Sequence, residues 1–178
     1  ALMGAHAAAG EVSGLVSNMA AMETETFEMN KVETFSDAPL WAGAASATGL
    51  IREYARQKKL SLQGPLPTGE EIFAAYNAGE PEAQKALKIF ARRVAVGILS
   101  LQNVLDVEKV AIGGGISKQP ILVETLNEVY EEYILRGHPF SEAQARCLPR
   151  PEIVPCRFLS EANQIGAFAS YQKAFLEN

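Results

Sequence analysis

Read for its apolar and polar positions, the chain divides into helical stretches with short strands between them. A helix is predicted from about Leu40 to Lys59, with Trp41, Ala45, Leu50, Ile51, Tyr54 and Ala55 falling on one face at helical spacing. Ser61 to Pro67 is rich in breakers and reads as a loop. Thr68 and Glu71 then form a capping box ahead of Ile72, Phe73 and Tyr76, and Gly79 ends that helix. Glu80-Pro81 opens a long helix reaching about Val104, with Ala86, Leu87, Phe90, Val94, Ile98 and Leu101 forming its apolar stripe. Val110 to Ile112 reads as a buried strand, and Pro120 to Arg136 as a helix burying Leu122, Leu126, Val129 and Tyr133 before Gly137. Glu152 to Cys156 suggests a second strand, and Ser160 to Phe175 a last helix capped by Ser160. Nearer the start, Val12, Gly14 and Val16 alternate with polar residues as in a strand, and residues 19–38 read as a polar strand-and-loop excursion. Strands alternating with helices favour an α/β layer architecture.

The most informative stretch is Lys109 to Ser117. A strand there runs into Gly113, Gly114 and Gly115 and then into a helix, with Pro120 in its first turn and Ser117 or Gln119 as the cap. Three residues without Cβ let a phosphate or sugar approach bare N–H groups near a helix start. This predicts a nucleotide site at the mouth of a cleft, with the glycine N–H groups facing it. The alternative is a tight turn that binds nothing. Two phosphate signatures fail here. A P-loop needs Gly-Lys-Ser/Thr, but the chain continues Gly115-Ile116-Ser117-Lys118, and Lys118 stands where a dinucleotide fingerprint needs its third glycine.

Composition narrows the classes. The 178 residues are 48% apolar and carry a net charge of −5, as expected of one folded domain. No basic cluster exceeds Lys58-Lys59 or Arg92-Arg93, which argues against nucleic acid as a partner of this segment. Cys147 and Cys156 could pair, although free thiols in a cytosolic protein are the safer reading. No signal peptide or membrane-length apolar run is visible. The opening Ala1-Leu2-Met3-Gly4-Ala5-His6 reads as a cut inside a larger protein.

Four segments together carry a family resemblance: Ala9-Gly10-Glu11-Val12, Ser46 to Arg52 (Ser-Ala-Thr-Gly-Leu-Ile-Arg), Ala111 to Ser117, and Glu161 to Ala167 (Glu-Ala-Asn-Gln-Ile-Gly-Ala). In order and spacing the chain resembles the ROK family of bacterial sugar kinases and sugar-sensing repressors. The resemblance implies an actin-like, hexokinase-like ATPase fold, with residues 1–178 as its C-terminal lobe and the N-terminal lobe absent. It gives Glu11 the role of binding sugar hydroxyls, for which a carboxylate suits by its two charged acceptors. Gly113, Gly114, Gly115 and Ser117 become nucleotide-binding residues, with Ser117 either donating to a phosphate or ribose oxygen or capping its helix. Asn163 and Gly166 fall on a helix near the adenine pocket.

The departures are specific. Gly14 stands where many members carry a zinc-ligating His, and residues 19–40 contain no cysteine. His6 and His138 lack partners at ligand spacing, so no structural zinc or other protein-bound metal is expected. Ala42 replaces the family's second sugar-contacting glutamate. The implied reaction is transfer of a phosphoryl group from ATP, with Mg²⁺, to a sugar hydroxyl. The general-base Asp belongs to the other lobe, so no catalytic residue is assigned in this chain. Two alternatives stand beside the kinase: the effector domain of a sugar-responsive repressor, and a non-catalytic sugar-binding protein. The resemblance further implies a cytoplasmic homodimer, joined through the apolar faces of the helix from Leu40 and the helix 81–104.

Overall fold

The computed structural model describes residues 41–136 and 150–176. The strand expected around Val12, the excursion at 19–38 and Gly137 lie outside those residues. Helix α1 (Trp41–Ala44) is followed by α2 (Ala47–Gln57), α3 (Gly69–Asn77) and α4 (Pro81–Leu105). Strand β1 (Lys109–Ile112), a 3-10 turn (Gly115–Lys118) and α5 (Pro120–Arg136) come next. Strand β2 (Glu152–Pro155), a second 3-10 turn (Leu159–Glu161) and α6 (Ala162–Phe175) complete the order.

The helix expected over 40–59 is broken in two. Ser46 interrupts it in an extended conformation, and its hydroxyl accepts the Gly49 N–H at 3.3 Å, so α2 starts with its own cap. Helical periodicity continues across this break, which is why apolar spacing alone joined the two. The Thr68–Glu71 capping box forms in both directions, with the Thr68 N–H donating to Glu71 Oε2 at 2.7 Å. Pro81 occupies the first turn of α4, and Asp106 closes that helix in a left-handed conformation. Ser160 does not cap the last helix: it lies within the 3-10 turn, and α6 begins without a side-chain cap.

Strands β1 and β2 pair in parallel, with Val110 opposite Ile153 and Ile112 opposite Pro155. Val110, Ile112 and Ile153 point into a core that also contains Leu50, Ile72, Phe90, Ile98, Leu122 and Leu126. Helix α4 is the spine of this core, because α2, α3 and α5 all pack against it. Burying each such Leu, Ile or Phe contributes about 1.5–3 kcal/mol before entropy is counted. Tyr130 joins the core, whereas the side chain of Tyr133, expected there, lies outside those described.

The last helix is different. Among the residues whose side chains are described in α6, only Gly166 is buried. Ile165, Phe168, Tyr171 and Phe175 form an exposed stripe, with Phe168 62% and Phe175 70% accessible. The Tyr171 and Phe175 rings lie 5.0 Å apart on that surface. Among the described residues no helix is long and apolar enough to cross a membrane.

Candidate functional site

The end of β1 is tied to the end of β2 by a relay of backbone hydrogen bonds. The Cys156 N–H donates to the Ile112 carbonyl at 2.8 Å, continuing the ladder one residue past the sheet. The chain then turns, and the Leu159 N–H donates back to the Cys156 carbonyl at 3.0 Å. Leu159 takes a left-handed conformation (φ 45°), and its carbonyl accepts the Gly114 N–H at 3.3 Å. Gly114 in turn accepts from the Ser117 N–H at 3.1 Å and from the Ser117 hydroxyl at 2.7 Å.

These bonds give the three glycines different tasks. A Cβ on Gly113 would lie 3.5 Å from the Leu159 carbonyl oxygen and 3.7 Å from Cys156 Cβ, ordinary contact distances, so the two turns meet there with room for a methyl group. Gly114 has φ 94° and ψ 174°, a region essentially confined to glycine, although space beside it is open. Gly115 is exposed, with nothing within 4 Å of its Cβ position. The glycine N–H groups were expected to face a cleft together, but that of Gly114 is committed to Leu159. Among the described residues nothing accepts from the N–H groups of Gly115 and Ile116.

Ser117 is 3% exposed, and its hydroxyl pins the glycine turn from behind instead of capping α5. Gln119 holds the position before Pro120, with its carbonyl accepting the Leu122 N–H at 3.0 Å. An apolar pocket beneath the turn is lined by Ala45, Phe90, Ile112, Gly113, Ile116 and Leu122. Ala45 comes from the break between α1 and α2, which brings the Ser46–Arg52 segment to the glycine turn. Gly49 lets that break close: a Cβ there would lie 2.1 Å from the Ala44 carbonyl oxygen.

Glu11, His6, His138 and Cys147 lie outside the described residues, and so does the side chain of Asn163. Gly166 is buried in α6. Cys156 is a free thiol beside Gly113. Among the described residues no three His, Cys, Asp or Glu side chains cluster as metal ligands would. Sequence reasoning missed Leu159 because nothing in Cys156-Arg-Phe-Leu announces a left-handed leucine. The pattern Ile-Val-Pro-Cys ending a strand was the only local signal of a turn there.

The ROK family model matches residues 40–174. A beta-glucoside kinase of Listeria innocua is 33% identical over 69 residues, which is 39% of this chain and 24% of that protein. A ROK family protein from Streptococcus pneumoniae, solved in complex with sucrose, superposes with a TM-score of 0.64 at 20% identity, over 89% of this chain and 49% of that one. A ROK family glucokinase from Streptomyces griseus, solved with glucose and AMPPNP, gives 0.58 at 19% identity, over 73% and 43%. The fold is therefore of the hexokinase-like, actin-like ATPase kind. The chain spans about a quarter of the curated relative and just under half of each of these solved structures.

Proposed function

The chain belongs to the ROK family, and on that premise we propose that it is the C-terminal lobe of an ATP-dependent sugar kinase. Its nucleotide site is the turn of Gly113, Gly114 and Gly115, where Gly114 shapes the backbone and Gly115 is the open face. Ser117 serves that site by fixing the Gly114 carbonyl. Glu11 binds the sugar hydroxyls. The observation that carries this reading is the open glycine turn at the end of β1, with the Gly115 and Ile116 N–H groups unspent among the described residues. Two adjacent donors with no acceptor among the described residues fit a phosphate oxygen. Beta-glucoside kinase and glucokinase among the similar proteins support sugar as the acceptor.

ATP, with Mg²⁺ neutralising its phosphates, supplies the phosphoryl group when bound. This chain's own part is to hold the nucleotide, orient the sugar and help exclude water. The general base stands in the other lobe, so the chain alone turns over no sugar. The exposed stripe of α6 supports a further apolar surface as its neighbour, and the intact kinase acts as a cytoplasmic homodimer.

Titration calorimetry tests the nucleotide reading. ATP with Mg²⁺ should bind the wild-type chain, and Gly115→Ala should weaken binding about tenfold, the equivalent of about 1.4 kcal/mol. Equal affinity in the two proteins would reject the glycine turn as the site.

A further inference from the structure

We propose that Leu159 is a positioning residue for the nucleotide turn, a role that rests on the nucleotide reading above. Leu159 is one of three described non-glycine residues with positive φ, alongside Lys59 and Asp106. Lys59 and Asp106 lie just beyond helix ends, where left-handed residues commonly close a helix. Leu159 closes no helix. It opens a 3-10 turn instead, and branched or bulky side chains disfavour the conformation it holds.

The surrounding bonds show what imposes it. The Leu159 N–H is fixed on the Cys156 carbonyl, and the Glu161 N–H on the Phe158 carbonyl at 2.8 Å. Between these two fixed points, the left-handed Leu159 aims its carbonyl at the Gly114 N–H. That bond has two effects on the proposed site. It withdraws one N–H from the ligand, and it holds Gly114 in the φ 94° conformation from which the Gly115 and Ile116 N–H groups project. The turn after β2 thus determines which glycine amides a phosphate meets. The Leu159 side chain takes no part in this, since the contact is made by its backbone.

A backbone role makes a specific demand on substitutions. Leu159→Gly keeps the left-handed conformation available and should preserve the relay. Leu159→Val puts a β-branched side chain where that conformation is most disfavoured and should break it. Two quantities are measured on the whole 178-residue chain: exchange of the Gly114 amide by NMR, and affinity for ATP with Mg²⁺ by titration.

In Leu159→Val, Gly114 exchange should rise about tenfold or more while the Val110 and Ile112 amides keep their protection, and ATP affinity should fall about tenfold. Leu159→Gly should match the wild type in both. Unchanged Gly114 exchange in Leu159→Val overturns the proposal. So does faster exchange with unaltered ATP affinity, which would leave a latch of structural value only. If Leu159→Gly loses affinity as Leu159→Val does, the side chain is the active part and the proposal is again overturned. A wild-type chain that binds no ATP rejects the nucleotide reading and the positioning role with it, whatever the exchange rates show about the bond.

Discussion

Arg93 on α4 donates through Nη2 to Oε2 of Glu53 on α2 at 2.5 Å, and both side chains are almost wholly buried. Glu53 also accepts from Arg56 at 3.1 Å and from Gln57 at 2.7 Å, so its carboxylate is saturated within the core. Burial pushes the Arg93 pKa down, yet a guanidinium starts so high that it remains charged. Removing the carboxylate leaves that charge buried. Glu53→Ala should therefore destabilise the chain by about 3–5 kcal/mol. The double variant Glu53→Met with Arg93→Met should recover most of that loss, and urea melts of the three proteins give the comparison.

Gly114 and Gly115 should respond differently to the same added methyl group. Both have open space beside them, but only Gly114 holds a positive φ. Gly114→Ala should cost about 1–3 kcal/mol, whereas Gly115→Ala should stay within about 0.5 kcal/mol of wild type. Thermal melts that rank the two the other way would contradict the conformations described.

Gly49 is constrained by contact alone. Its Cβ position lies 2.1 Å from a backbone oxygen of α1, which no side-chain rotation relieves. Gly49→Ala should force α1 away from α2 and cost about 1–3 kcal/mol. Circular dichroism melts would read this directly, and an unaltered midpoint would show that the break at Ser46 is loose.

Acid should weaken the fold through two carboxylates whose pKa values lie below the ordinary glutamate value of 4.5. Glu71 is lowered by the Thr68 backbone N–H first and by the Thr68 hydroxyl second. Glu80 is lowered by its bond from Lys58 first and by the Tyr54 hydroxyl second. A depressed folded-state pKa means that the stabilisation is present above the ordinary value and is lost as pH falls through the lowered one. Glu71→Gln can still close the capping box but without the charge, so its melting temperature should lie below wild type near pH 7 and converge with it in acid. Below pH 4.5 its decline should be shallower, and scanning calorimetry across that range checks the difference.

Much of this architecture was legible in the sequence. The capping box, the proline that opens α4, both strands and the glycine turn followed from residue type and spacing. What spacing could not supply was local conformation imposed from a distance. Ser46 splits a helix whose apolar period runs straight through it. Ser160 has the composition of a cap, but the turn at Leu159 shifts the helix start past it. The Glu53–Arg93 pair joins two helices across 40 residues of chain, and no pattern within either helix names its partner. The same holds for Gly114. Its need for glycine was visible, but the carbonyl that takes its N–H comes from beyond β2.

That dependence sets an order of assembly during synthesis. Helices α2 to α4 precede β1 and pack on one another without it, so they can associate early. The glycine turn cannot. Its shape waits for a residue 45 positions later, Leu159, to leave the ribosome and for β2 to find β1 in the right register. A nascent chain stopped before that point would carry the whole Gly113–Gly115 motif and still lack the formed turn, because the part that shapes it had yet to be made.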